Sequence, residues 1–162
     1  LFFNVPKKAG AFKMSKEIDK TYPDTSKSLP IAMLRAREAM MISFRPILTK
    51  HGFTEQQWRV LRVLGEKGES DAGQVAFDAC ILAPSLSRII GKLEKDQYIS
   101  RFVDAKDGRR VNLSLTNSGK EILNKIAPDV ELIYKAIQKR YGEEKLSTLI
   151  DILGEISEWR GR

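Results

Sequence analysis

"APSLSRIIGKLEKDQYISRFVDAKDGRRVNLSLT", Ala83–Thr116, decides the fold. Its first half has the period of a helix. Leu86, Ile89, Ile90 and Leu93 recur at i, i+3, i+4 and i+7, so they share one inward face. Pro84 suits the first helical position, where the missing N–H has no intrahelical partner. That leaves Ser85, Ser87, Arg88, Lys92 and Lys95 on outward or flanking faces. The second half changes period. "ISRFV" and "RVNLSLT" are β-prone and flank a charged tip. Val111, Leu113 and Leu115 alternate with Asn112 and Ser114, which buries one face of the second strand.

The tip carries Lys106, Asp107, Gly108, Arg109 and Arg110, a concentration of positive charge far from any core. A hairpin tip reaches where a helix does not, and arginine fits the narrow, electronegative minor groove of A·T-rich DNA. Gly108 permits the tight turn. Asp107 would weaken phosphate binding by its charge, so its expected role is to orient Arg109. The preceding helix adds a second element. Its N-terminus directs free amides and a positive dipole outward, which suits a phosphate. Ser85 and Ser87 can donate to phosphates or base edges, and Arg88, one turn in, can reach guanine or the backbone. Together they form a major-groove reader and a minor-groove finger. The plain alternative for each piece is an amphipathic helix with a serine-rich start and a solvated hairpin.

Outward from this segment the chain is mostly helical. "LPIAMLRAREAMMISFRPIL" carries Ile31, Leu34, Met41, Phe44 and Leu48 as one apolar stripe, with Pro46 expected to kink or end it. "HGFT" is a break with Gly52 at a C-cap. "TEQQWRVLRVLGEKG" opens on a capping box, Thr54 with Gln57, and has Trp58, Leu61 and Leu64 inward. "SDAGQVAFDAC" is a short helix capped by Ser70 or Asp71, with Val75, Ala76 and Ala79 inward. After the hairpin, Thr116 caps a helix expected to kink near Pro128 and to break at Gly142. A last helix places Leu146, Leu149, Ile150, Leu153 and Ile156 on one stripe. The fold class is therefore mainly α with a small β-hairpin wing: a winged helix-turn-helix domain plus a helical dimerisation region.

The expected organisation runs in four parts. Residues 1–28 are a leader and flexible tail, with residues 1–13 non-native and Met14 the natural start. Residues 29–50 are the N-terminal helix of the dimerisation region. Residues 51–116 are the winged helix-turn-helix DNA-binding domain. Residues 117–162 are C-terminal dimerisation helices. The outer helices have apolar stripes without evident mates inside the chain, so a second copy is the expected partner, as an isologous homodimer.

Composition bounds the chemistry. The chain has 162 residues and a formal net charge of +7, which suggests a polyanionic partner. One cysteine, Cys80, and one histidine, His51, leave no intramolecular disulfide and no usual zinc ligand set. No metal and no cofactor is expected. The single cysteine fits a reducing, cytoplasmic and nucleoid-associated location, and no apolar run is long enough to span a membrane. There is no nucleophile elbow, phosphate loop or metal cluster, so the chain is not read as an enzyme.

Three segments, "FTEQQWRVLRVL", "APSLSRIIGKLEKDQYISR" and "DGRRVNLSLTNSGKEIL", resemble the MarR family of winged-helix regulators. The likeness runs from about Leu29 to Trp159. The last segment carries the family's Asp-x-Arg wing signature as Asp107 and Arg109. The resemblance implies that Arg109 enters the minor groove with Asp107 as its support, and that Pro84, Ser85 and Arg88 belong to the recognition helix. It implies a homodimeric repressor on a pseudo-palindromic DNA operator, with recognition helices about 34–36 Å apart. It also implies release by a small aromatic carboxylate. The stretch from Leu29 to Arg62 is most similar to repressors of homoprotocatechuate (4-hydroxyphenylacetate) degradation operons, so the expected effector is of that type.

A pocket for such an acid needs apolar walls and a few convergent polar groups. Met40, Phe44, Ile47, Trp58 and Leu61 are candidate walls. Arg37, His51 and Arg62 are candidates to hold the carboxylate, arginine being favoured by its bidentate geometry, and Ser43 could bond a hydroxyl. Two other readings compete. Cys80 would make the chain an oxidant-sensing repressor, although its apolar "DACIL" setting reads as inert packing. The family's peroxide sensors place their reactive cysteine near the first helix, where this sequence has none. A non-specific architectural DNA binder is the other.

Overall fold

A computed structural model describes residues 24–103 and 111–159. Six helices and three strands follow in order: α1 (Leu29–Lys50), α2 (Glu55–Lys67), β1 (Ser70–Asp71), α3 (Ala72–Asp78), α4 (Ala83–Lys95), β2 (Ile99–Val103), β3 (Val111–Leu115), α5 (Asn117–Tyr141) and α6 (Glu143–Glu158). The expected leader and tail lie outside the described residues up to residue 23. Leu1–Arg37 and Glu38–Arg162 form separate compact units. Of the first, the described part is a turn at residues 25–27 and the start of α1, whose Ala32 amide donates to the Ser28 carbonyl.

In the second unit local sequence signals set the element ends. Thr54 and Gln57 form the reciprocal capping box at the head of α2. The Asp71 side chain accepts the Gln74 amide and caps α3, and Thr116 accepts the Gly119 amide and caps α5. Gly52 and Gly142 stop α1 and α5 at φ values of +79° and +84°, which only glycine adopts without strain. The core gathers Phe44 and Leu48 from α1, Trp58, Leu61 and Leu64 from α2, Val75 from α3, and Leu86, Ile90 and Leu93 from α4. Ile99 and Leu113 of the strands and Ile126 and Val130 of α5 complete it. Fully burying one such side chain contributes about 1.5–3 kcal/mol, so this cluster dominates the energetics.

Two features depart from the sequence reading, the strand at Ser70–Asp71 and the position of Pro84. Ser70–Asp71 is a strand as well as a cap: it pairs antiparallel with β3, Ser70 opposite Leu113, giving the sheet order β1-β3-β2. Of the two outcomes expected at Pro46, a kink or an end, the helix does not take the second, α1 running on to Lys50, and α5 runs through Pro128 to its expected stop at Gly142. Each proline removes one N–H that would bond the carbonyl four residues earlier, at Ile42 and Asn124. Both of those residues are exposed, so water can satisfy the carbonyl. Pro84 falls one residue later than expected, behind Ala83, still within the first turn.

Polar ties fix the elements against one another. Arg45 of α1 bonds Glu38 at 2.6 Å and Glu55 at the head of α2, and the two carboxylates hold its guanidinium above its ordinary pKa. Lys67 of α2 and Gln74 of α3 both donate to Asp78, at 2.6 and 2.9 Å. They hold that carboxyl below its ordinary value of 3.8. The stabilisation is therefore present above that value and fades as pH falls through the lowered one. Asp71→Ala removes the α3 cap, which is also the last residue of β1. The expected cost is about 1 kcal/mol, read as a Tm lower by roughly 2–4 °C in thermal melts at fixed protein concentration.

Candidate nucleic-acid interface and the groove behind it

α4 is built as two faces. Leu86, Ile90 and Leu93 are buried. Pro84, Ser87, Arg88, Gly91, Lys92 and Lys95 are exposed and Ser85 is half-buried. Arg88 has no hydrogen-bond or ion-pair partner among the described residues, so its guanidinium is available. Lys92 donates to Asp96 at 2.8 Å, and the Ser87 hydroxyl turns back to the Ala83 carbonyl at 3.3 Å. Both bonds are exposed and worth little, so either group can be redirected to a phosphate.

The helix hands over to the wing through short contacts. The Tyr98 amide donates to the Leu93 carbonyl at 2.9 Å. Arg101 of β2 pairs with Glu94 of α4 at 2.8 Å. β2 and β3 are in register from Ile99 opposite Leu115 to Val103 opposite Val111. The hydroxyls of Ser100 and Ser114 meet across them at 2.8 Å. The wing base is thus fixed to the end of α4. Lys106, Asp107, Arg109 and Arg110 lie outside the described residues, between the last paired positions.

Cys80 is exposed, not packed. It holds the turn between α3 and α4 at φ +50°, and its carbonyl accepts from Arg59 at 3.3 Å. Its neighbours Ala79 and Ile81 are buried, so the apolar sequence around it does not reveal the exposure.

A groove of about 640 Å³ opens between α2 and α5. Trp58, Arg62, Gly65 and Glu66 line one side, and Leu123, Asn124, Ala127, Val130, Glu131 and Tyr134 the other. Phe44 stands behind it, edge-on to Tyr134 with ring centroids 5.5 Å apart. Gly65 lets the helices approach: a Cβ there would come within 2.6 Å of Leu123 Cδ1. Glu131 is paired with Lys135 at 2.7 Å. Arg62 is exposed and makes no ion pair among the described residues, so a slot with aromatic walls holds an unpaired guanidinium, with the carboxylates of Glu66 and Glu131 on the same lining.

Of the sequence candidates for effector contacts, Trp58 and Arg62 face this groove and Phe44 supports it. Met40 and Ser43 are exposed on α1 outside its walls, while Ile47 and Leu61 pack in or against the core. His51 is half-buried past the end of α1, with Nε2 buried and unbonded. Arg37 is exposed on α1 in the first unit. The α5 wall was missed, although Leu123, Ala127, Val130 and Tyr134 recur at i, i+4, i+7 and i+11, the stripe of a helix that ignores Pro128. No group of three or more His, Cys, Asp or Glu among the described residues could hold a metal ion. No helix of the described residues is long and apolar enough to cross a membrane.

Comparison with known proteins places these features in a family. The MarR family's sequence profile matches residues 53–111, from α2 to the start of β3. The HTH-type transcriptional regulator FarR of Neisseria gonorrhoeae is 42% identical over 131 residues, 81% of this chain and 90% of that protein. The homoprotocatechuate degradative operon repressor of Escherichia coli is 41% identical over 128 residues, 79% of this chain and 86% of that protein. The crystal structure of NadR in complex with 4-hydroxyphenylacetate superposes with a TM-score of 0.78 at 41% identity, covering 86% of this chain and all of that one.

Proposed function

The chain belongs to the MarR family, and on that premise we propose that it is a DNA-binding repressor of an aromatic-acid catabolic operon, released by a phenolic carboxylate of the 4-hydroxyphenylacetate class. The observation that carries this reading is Arg62, unpaired among the described residues, in the groove between α2 and α5 that Trp58 and Tyr134 also line. Its chemistry suits a planar ring ending in a carboxylate: apolar walls for the ring, a bidentate donor for the acid. The names of the E. coli repressor and the NadR complex point to the same chemistry in two relatives.

The protein works as a homodimer. Ile42 on α1, Leu132 on α5 and Leu149, Ile150 and Leu153 on α6 are uncovered apolar side chains, and a second copy covers them about a two-fold axis. That axis carries the two α4 helices to successive major grooves about 34–36 Å apart. Pro84, Ser85, Ser87, Arg88 and Lys92 meet bases and phosphates there. In this reading Arg109 enters the flanking minor groove with Asp107 as its support, and Lys106 and Arg110 meet the DNA backbone.

Release follows from where the groove lies. α2 packs against α3, α4 and β3 of the reading head and also against α5. A ligand wedged between α2 and α5 therefore favours one setting of the reading head relative to α5. If that setting misplaces the two heads, the bound population shifts off DNA. A coupling of about 1–3 kcal/mol, or about 5–150-fold in affinity, is ordinary for such a device.

The test is a titration of labelled DNA from upstream of the gene, with and without 4-hydroxyphenylacetate. A specific site preferred at least ~10³-fold over scrambled DNA, released by the acid, supports the reading. Equal affinity for scrambled DNA makes the chain an architectural binder, and release by oxidant that Cys80→Ser abolishes makes it a thiol sensor. Arg109→Ala is expected to weaken operator binding by about 1–3 kcal/mol, measured by the same titration. Unchanged affinity would remove the wing from the interface.

A further inference from the structure

α2, α3 and α5 each begin at a side chain that accepts a backbone amide. α4 does not: its N-cap is Leu82, with no side-chain hydrogen bond. Leucine is a poor residue for this position, where Ser, Thr, Asp and Asn satisfy an orphan amide. Nor does Leu82 serve the core, since 80% of it is exposed. Ala83 and Pro84 behind it are exposed as well. The head of the reading helix is thus a bare apolar edge that neither caps nor packs.

We infer that Leu82 reads a thymine, by packing its side chain against the C5-methyl group of one base in each half-site. The inference rests on the DNA-binding reading above and adds a base to it. A recognition helix meets base edges with its N-terminal residues. In the major groove the one apolar group a base edge offers is the thymine methyl. The other exposed groups of α4 fit the same occupant. Arg88 is one to two turns further along and unpaired among the described residues, and Lys92 and Lys95 follow it, on a chain of net charge +7. Cationic groups further along the same helix match the phosphates that flank a major groove, so the occupant they favour is nucleic acid rather than an apolar protein.

The experiment uses the full chain and an operator duplex selected from random sequence. Each thymine in turn is replaced by deoxyuridine, which removes the methyl and leaves every hydrogen-bonding group in place. The wild type is expected to lose about four-fold in affinity at one thymine per half-site, the worth of one buried methyl. Leu82→Ala is expected to bind the thymine duplex more weakly and to be indifferent to uracil at that position. Leu82→Ser supplies the hydroxyl that an N-cap normally carries, so its Tm is expected to hold or rise while operator affinity falls. A wild type indifferent to every deoxyuridine, or a Leu82→Ala protein as sensitive as the wild type, overturns the inference and leaves the repressor reading standing. A Tm that falls together with affinity in both variants assigns Leu82 a structural role and overturns it too. Failure to select any sequence sinks the repressor reading itself, and the thymine contact with it.

Discussion

Gly119→Ala is expected to cost about 3 kcal/mol and to loosen the joint between the wing and the helix that follows it. Gly119 is buried in the first turn of α5, and a Cβ there would lie 2.1 Å from the Tyr98 carbonyl oxygen and 3.1 Å from Leu115 Cδ2. The near atom is backbone, so no rotamer change relieves the clash. Its carbonyl is also committed: it accepts the Thr116 amide at 3.1 Å, just where α4 and β2 meet α5. Thr116 meanwhile donates to the Gln97 carbonyl at 2.5 Å and caps α5 through the Gly119 amide. Moving the Tyr98 carbonyl away from a new methyl therefore strains the link, the cap and the first residue of β2 together. A Tm lower by roughly 6–12 °C at matched protein concentration is the expected reading. An alanine variant that melts with the wild type would mean α5 can shift outward without loss.

That joint was only half legible in the sequence. Thr116 as a cap and Leu113 as an inward strand residue follow from short-range pattern, because caps and alternation are local chemistry. Gly119 carries no such mark. Its need arises from Tyr98, which local pattern does not bring near. The same division runs through the molecule. The faces of α4 are readable because Leu86, Ile90 and Leu93 repeat with the helix. β1 is not, because two residues become a strand only by meeting Leu113 and Asn112 of β3. The candidate site divides likewise. Arg88 and Lys92 stand on the outer face that periodicity assigns them, and Trp58 and Arg62 fall one turn apart on α2, so one wall of the groove was in view. The opposite wall was not in view, because the stripe of α5 names no partner until the helix is packed on α2. Tyr134 lies beyond Pro128, and its place opposite Trp58 comes from that packing, a tertiary fact.

Arg62 carries the second large effect. In the wild type the groove presents one unpaired guanidinium among the described residues of its wall, 4 residues on from Trp58 along α2. Hydrogen bonds to a charged group contribute about 1.5–3 kcal/mol, so Arg62→Ala is expected to weaken 4-hydroxyphenylacetate binding by roughly 10–150-fold. Trp58 lies in the same groove, which makes its fluorescence the direct readout, and a Trp159→Phe background removes the other tryptophan signal. Operator affinity without effector should stay near the wild-type value, because Arg62 lies outside the α4 face and the wing. Arg62→Lys should fall between the two, retaining the charge while losing the planar bidentate donor. The pattern separates binding from folding: a merely destabilised protein would lose operator affinity and effector response together. If Arg62→Ala instead binds the acid as the wild type does, the carboxylate is held elsewhere. The groove between α2 and α5 would then supply walls for a ring but not the charge that selects an acid.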